Sequence, residues 1–187
     1  MAAENSGWVT LAEPDMPRLQ SFLEANPEYW RVVMGTATPA DAAREIFEGR
    51  PPDGWRWDRK TVLGASGADG ALVAMADLIE GLFAPDIAHL GLFIVAGKLH
   101  GTGASRILYE SLEESMHAAG ARWMRLGVVV GNARAERFWE KLGFIELRRR
   151  YDIDLGPRTC DLRVMAKPLA GGDVGEYLAL VERDRPD

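Results

Sequence analysis

His100-Gly101-Thr102-Gly103-Ala104-Ser105 is the stretch of this chain whose residue types most directly suggest chemistry. It follows an uninterrupted apolar run, Leu90 to Ala96, and leads into a helical pattern, so the order reads strand, glycine loop, helix. The backbone N–H groups at such a helix start are unsatisfied donors beside the positive end of the helix dipole, and together they suit phosphate oxygens. Glycines there let a ligand approach the backbone closely. An ordinary glycine turn before a helix is the competing reading. Two nucleotide loops are excluded: Arg106 stands where a Rossmann Gly-x-Gly-x-x-Gly needs its last glycine, and no Gly-x-x-x-x-Gly-Lys-Ser/Thr occurs.

Other reactive side chains are sparse. The single cysteine, Cys160, can form no internal disulfide, which fits a reducing cytoplasm. His89, His100 and His117 are scattered, and neither Cys-x-x-Cys nor His-Glu-x-x-His is present, so no metal site is expected. Tyr29, Trp30, Trp55 and Trp57 flank a helical region. They can line a pocket for an apolar or cationic substrate, or serve as core or lid packing; the second is preferred because large aromatics usually supply buried area.

The elements that must position these groups follow from periodicity and turn chemistry. Strands are expected over Trp8 to Leu11, Lys60 to Ala65, Ala71 to Ile79, Leu90 to Ala96, Trp123 to Val130, Ile145 to Leu155 and Cys160 to Lys167. One helix carries Leu19, Phe22 and Leu23; a second begins with Thr38 as N-cap and Pro39 in its first turn. A third begins near Thr102, and a fourth begins after Asn132 as N-cap and ends at Gly143. Gly67 to Gly70 makes the second and third strands a hairpin, and Gly156-Pro157 separates the last two. The strand, helix, strand run from Leu90 to Val130 implies a parallel crossover. Arg148-Arg149-Arg150 can bind an acidic group, but a charged, solvated strand edge is the preferred reading.

The 187 residues fit a single domain over residues 1–169, followed by a tail over 170–187. The tail can dock on its own domain, dock on a second subunit of a homodimer, or stay largely mobile. A hydrophobic share of 47% with 27% charged residues is that of a soluble globular protein. The net charge of −6 argues against nucleic acid as partner and mildly favours cationic ones. The start, Met1 to Thr10, lacks a signal-peptide pattern, and no apolar stretch is long enough to span a bilayer, so neither export nor a membrane is expected.

Two segments together resemble a known family. Val95 to Glu113 contains the glycine loop, and Leu126 to Phe144 contains Asn132, Ala135, Phe138, Gly143 and Phe144 at the spacing Asn-x-x-Ala-x-x-Phe-x-x-x-x-Gly-Phe. Both resemble signatures of the GNAT superfamily of acyl-CoA-dependent N-acyltransferases, and the resemblance extends over about residues 8–168. It implies an α/β fold with a mixed, mostly antiparallel central sheet of about seven strands, about four helices, and a fourth and fifth strand that are parallel and splayed. It also implies acetyl-CoA as co-substrate and direct attack of a primary amine, on a small molecule or protein, at the thioester. His100 replaces the Gln or Arg that usually opens the loop, and Ser105 replaces its last Gly or Ala. Trp139 stands where many members carry a tyrosine that protonates the leaving thiolate.

By the same resemblance, the backbone of Phe93, Ile94 and Val95 pairs with the pantetheine arm, with the Phe93 N–H facing the thioester oxygen. His100, Gly101, Thr102, Gly103, Ala104 and Ser105 hold the pyrophosphate, and Asn132 contacts the pantetheine. His89 stands where histone-acetylating members carry a catalytic glutamate, and an imidazole near its ordinary pKa of about 6.5 suits that role. Asp77 and Glu80 are the alternatives, each acting directly or through a water. A non-catalytic acyl-CoA-binding regulatory module and transfer of a longer acyl group are the competing functions.

Overall fold

The computed structural model describes residues 7–156 and 158–186; residues 1–6, Pro157 and Asp187 lie outside the described set, and with them part of the leader and Gly156-Pro157 readings. Seven strands form one sheet in the order β1-β2-β3-β4-β5-β7-β6: β1 Trp8–Thr10, β2 Arg59–Ser66, β3 Leu72–Glu80, β4 Ile87–Val95, β5 Trp123–Val129, β6 Ile145–Asp154 and β7 Thr159–Pro168. All neighbours are antiparallel except β4 and β5. The expected mixed sheet with a parallel central pair is therefore present.

Helices cover both faces. On one face α1 (Met16–Ala25) and α2 (Ala42–Glu48) bury Leu19, Phe22, Leu23 and Ala43 against Val62, Met75 and Ile94. On the other, α3 (Ala104–Ala118) and α4 (Ala133–Lys141) bury Tyr109, Leu112 and Trp139 against Ala76, Leu90 and Leu126. Strands buried on both faces must be apolar on both, which is why β3 to β5 read as nearly continuous hydrophobic runs.

Local starts differ from the sequence expectation at two places. Helix α2 begins at Ala42 after Asp41 instead of at Pro39. Helix α3 takes Gly103, at φ 89°, as its N-cap; the Thr102 hydroxyl instead donates to Leu99 O at 2.8 Å and accepts from the Ala104 N–H at 3.3 Å. Asn132 caps α4 as expected, its side chain accepting from the Ala135 N–H. Between α1 and α2, Trp30–Met34 forms a π-helical turn that the periodicity did not indicate.

The C-terminal segment docks on its own domain. Helix α5 (Val174–Leu180) and the turn after it bury Tyr177, Val181 and Asp184 beside Trp123 and Ile87, so a largely mobile tail is ruled out for the described residues. Arg148 and Arg150 do not simply blunt the edge of β6: both donate to the carbonyl of Arg183, at 3.1 and 3.0 Å. Arg149 pairs instead with Glu146 of its own strand. Tyr177→Ala is expected to destabilise the whole domain by about 3–5 kcal/mol in urea unfolding, as for other large buried aromatics; a change confined to local fraying would contradict this packing.

Candidate active site

The site is built on a break in the sheet. The parallel β4–β5 ladder pairs Ile87 with Trp123 and ends at Leu90 with Leu126. At the same level β3 and β4 shift register: Asp77 faces Leu92 while Leu78 faces Leu90, so Gly91 is an extra, bulged residue. The bulge resets the alternation of side chains. Leu92 and Ile94 beyond it, and His89 before it, consequently lie on the α1–α2 face, with Asp77 and Ile79 of β3 beside them.

Beyond Leu90 the backbone of β4 has no strand on its β5 side. The Ala96 N–H donates to Val73 O, so by alternation Ile94 and Leu92 turn their backbone groups toward β3, while Phe93 and Val95 turn theirs into the open seam. Of the three residues expected to hold the pantetheine by backbone pairing, Phe93 and Val95 are thus available and Ile94 is engaged with its own sheet. The Val95 carbonyl already accepts from His100 Nε2 at 2.8 Å. The other ring nitrogen of His100 lies 3.4 Å from Glu28, so this imidazole faces the seam's end and not the loop's anion face.

At the mouth of the seam stands the glycine loop. Gly101 and Gly103 have φ of 79° and 89°, and a Cβ added to either would meet nothing within 4 Å. Left-handed backbone, and not crowding, is what requires glycine here. The loop delivers Gly101, Thr102, Gly103, Ala104 and Ser105 to the N-terminus of the 15-residue helix α3, the geometry that favours a phosphate. Across the seam, Asn132 spends its Oδ1 on the α4 cap and keeps its amide nitrogen as a donor.

A cavity of about 390 Å³ opens on the α1–α2 face beside Gly91. Asp77, His89, Lys60, Tyr29, Trp30 and Trp55 are among the residues lining it. The aromatics thus serve both readings: Trp30 is buried in the core, and Tyr29, Trp30 and Trp55 all form cavity wall. Trp57 lines a different groove, at the β2 edge, together with Glu80. Glu80 is bound there by Arg59 through two bonds of 2.9 and 2.8 Å, so the structure does not bring it together with Asp77 and His89.

The two remaining acid–base candidates are in contrasting environments. Asp77 Oδ2 lies 3.3 Å from Lys60 Nζ, while its Oδ1 is buried with no hydrogen-bond partner among the described residues. Burial raises its pKa above the ordinary carboxylate value despite Lys60 and Arg50. Lys60 is held in turn by the carbonyls of Ile46 and Gly49. His89 pairs across the ladder with Arg125, whose Nη1 lies 3.3 Å from the imidazole Nδ1. Burial and the neighbouring guanidinium push the His89 pKa down to about 3. An imidazole in that setting is neutral and weakly basic, which departs from the near-neutral pKa expected for it.

Two phenols bear on the missing α4 tyrosine. Trp139 is buried, with its ring 5.7 Å from Phe93 and 5.3 Å from Tyr109. Tyr109 is fully buried beside it, and burial with Glu113 pushes its pKa far up, so it is packing. Tyr29 lines the cavity, and burial, with Cys160 and Asp77 nearby, pushes it up to about 12. It is therefore a protonated donor at neutral pH. From sequence Tyr29 is only a possible pocket or lid aromatic and Lys60 has no site reading; the approach of Asp77 across the sheet brings both to the same carboxylate. No group of three or more His, Cys, Asp or Glu among the described residues could hold a metal, and no helix among them is long and apolar enough to cross a membrane.

Comparison with known proteins agrees with this fold. The ribosomal-protein-S18-alanine N-acetyltransferase of Escherichia coli superposes with a TM-score of 0.64 at 20% identity, over 89% of this chain and 96% of that one. The spermidine N-acetyltransferase of Vibrio cholerae, solved with CoA and spermine, gives 0.66 at 18% identity, over 87% and 95%. An acetyltransferase of Thermus thermophilus gives 0.65 at 21%, over 86% and 95%. Curated proteins give no sequence match. The model of the Acetyltransferase (GNAT) family matches residues 21–144, which include the bulged strand, the glycine loop and the Asn132 helix, and the chain belongs to that family.

Proposed function

We propose that the chain is an acetyl-CoA-dependent N-acetyltransferase whose acceptor, a primary amine, enters the cavity lined by Asp77. The observation that carries this reading is the seam: Phe93 and Val95 backbone groups without a strand partner, of which only the Val95 carbonyl is bonded, by His100, run from an anion-suited glycine loop to a bulge beside an incompletely partnered carboxylate. These residues fit acetyl-CoA, which when bound supplies an activated acetyl thioester. The loop N–H groups suit its pyrophosphate, the seam its pantetheine amides, and the Phe93 N–H the developing oxyanion.

Asp77 is the base this reading favours, ahead of His89 and Glu80. A primary amine is mostly ammonium at neutral pH and must lose a proton before nitrogen can attack. Asp77, beside Lys60 yet short of one hydrogen bond, can in its carboxylate form orient that ammonium and take the proton, directly or through a water, and pass it to solvent. The second proton leaves nitrogen as the amide forms and ends on the thiol, with Tyr29 as a nearby hydroxyl able to relay it. Amine and thioester are thereby converted to amide and thiol with no enzyme-bound acyl group.

Three outcomes test the proposal. Acetyl-CoA at about 100 times its Kd should stabilise the fold by about 2.7 kcal/mol, and thiol release over a panel of polyamines, aminoglycosides, amino acids and peptide N-termini should reveal turnover. Binding without thiol release from any amine would favour a non-catalytic acyl-CoA-binding module instead. Asp77→Asn should lower kcat by about 10²–10⁴-fold with the acetyl-CoA KM little changed. Because the active form is the carboxylate and its pKa is raised, kcat/KM in the wild-type chain should fall on the acid side at a pH above the ordinary carboxylate range, and Asp77→Asn should abolish that limb.

A further inference from the structure

We propose that the C-terminal segment Val174–Asp184 forms a working part of the acceptor site, with Asp184 acting as a positioning residue for His89 through Arg125 and Arg183 setting the face of Trp55. This rests on reading the Asp77 cavity as the acceptor site. Asp184 is fully buried and receives Arg125 through a two-pronged ion pair of 2.6 and 2.9 Å. The Tyr177 hydroxyl donates to the same carboxylate at 2.8 Å, and Arg150 approaches it at 3.4 Å. A guanidinium held by this fork cannot swing, and its remaining Nη1 points at His89 Nδ1.

Arginine has no acceptor, so that contact makes Nδ1 the accepting nitrogen and leaves the proton on Nε2. The chain therefore fixes one neutral tautomer of a cavity-wall imidazole from a carboxylate 95 residues further along the sequence. The charged groups acting on His89 are Arg125 from β5 and Asp184 behind it, and Asp77, Lys60, Arg50, Glu45 and the Tyr29 phenol share the cavity wall with it.

A second contact joins the same segment to the cavity. The Arg183 guanidinium lies 3.8 Å from the Trp55 ring centroid and 4.7 Å from that of Phe83, and the two rings are themselves 4.8 Å apart. Arg125 approaches Phe83 at 5.3 Å. Phe83 has φ of 68°, a conformation a bulky residue holds only when its surroundings impose it. Cation and ring contacts from both arginines are those surroundings, so Phe83 couples the tail to the Trp55 wall.

The test reads the imidazole directly, independently of turnover. In full-length chain with isotope-labelled histidine, nitrogen NMR should show His89, assigned by loss of its signal in His89→Gln, as one neutral tautomer with Nδ1 unprotonated. Asp184→Asn should replace that signal by an average of the two neutral tautomers. An unchanged His89 signal in a variant that still unfolds cooperatively would overturn the relay. Should Asp184→Asn fail to fold, Tyr177→Phe keeps the ring and removes one bond to Asp184, and an unmoved signal there overturns it equally. With an amine that turns over, Arg183→Ala should raise the acceptor KM severalfold with the acetyl-CoA KM constant, and Arg183→Lys should recover part of it. An unchanged acceptor KM would sink the Trp55 half of the proposal. A chain without acetyltransfer would refute the enzymatic reading while leaving the tautomer result to stand or fall on its own.

Discussion

Backbone hydrogen bonding sets the terms for this molecule. A strand in mid-sheet must satisfy both of its edges, and β4 satisfies its β5 edge only as far as Leu90. The bulge at Gly91 and the divergence from β5 leave the Phe93 and Val95 groups to something other than protein, apart from the single bond that His100 makes. Such an unspent edge is costly in a finished core and useful in a binding seam. The glycine loop, the α3 terminus and the Asn132 cap are all arranged along this one seam.

Around it, charges are placed by burial more than by proximity. Asp77 sits near a lysine and still has a raised pKa, because loss of solvent outweighs the pair. His89 sits near a carboxylate, at second hand, and still has a depressed one, because Arg125 and burial intervene. The same cavity thus presents one group suited to take a proton and another suited to remain neutral. Trp139 fits the same pattern: where a phenol could serve chemistry, an indole fills the core beside Phe93.

The tail changes how the domain is bounded. A glycine-rich link leads out of β7, and a seven-residue helix would be marginal alone. Its stability comes from Tyr177 against Trp123 and from Asp184 paired with Arg125 and Arg150. Those contacts bring residue 184 behind Arg125 and His89, so the segment packs on its own domain instead of trailing from it.

Much of this was legible in the chain itself. Alternation and apolar runs located all seven strands to within a few residues, and Gly143 and Asn132 marked the ends of α4, because these signals depend on neighbours along the backbone. The glycine loop was legible for the same reason, although its glycines serve left-handed backbone and not close packing. What the sequence could not decide was which side chains meet. The Gly91 bulge shifts parity by one residue, Lys60 approaches Asp77 from another strand, and Arg125 and Asp184 reach His89 from 36 and 95 positions away. Local patterning determined the elements and the loop; the surroundings of Asp77 and His89, and with them the direction in which each pKa moves, were decided by burial and long-range charge, which only the folded chain creates.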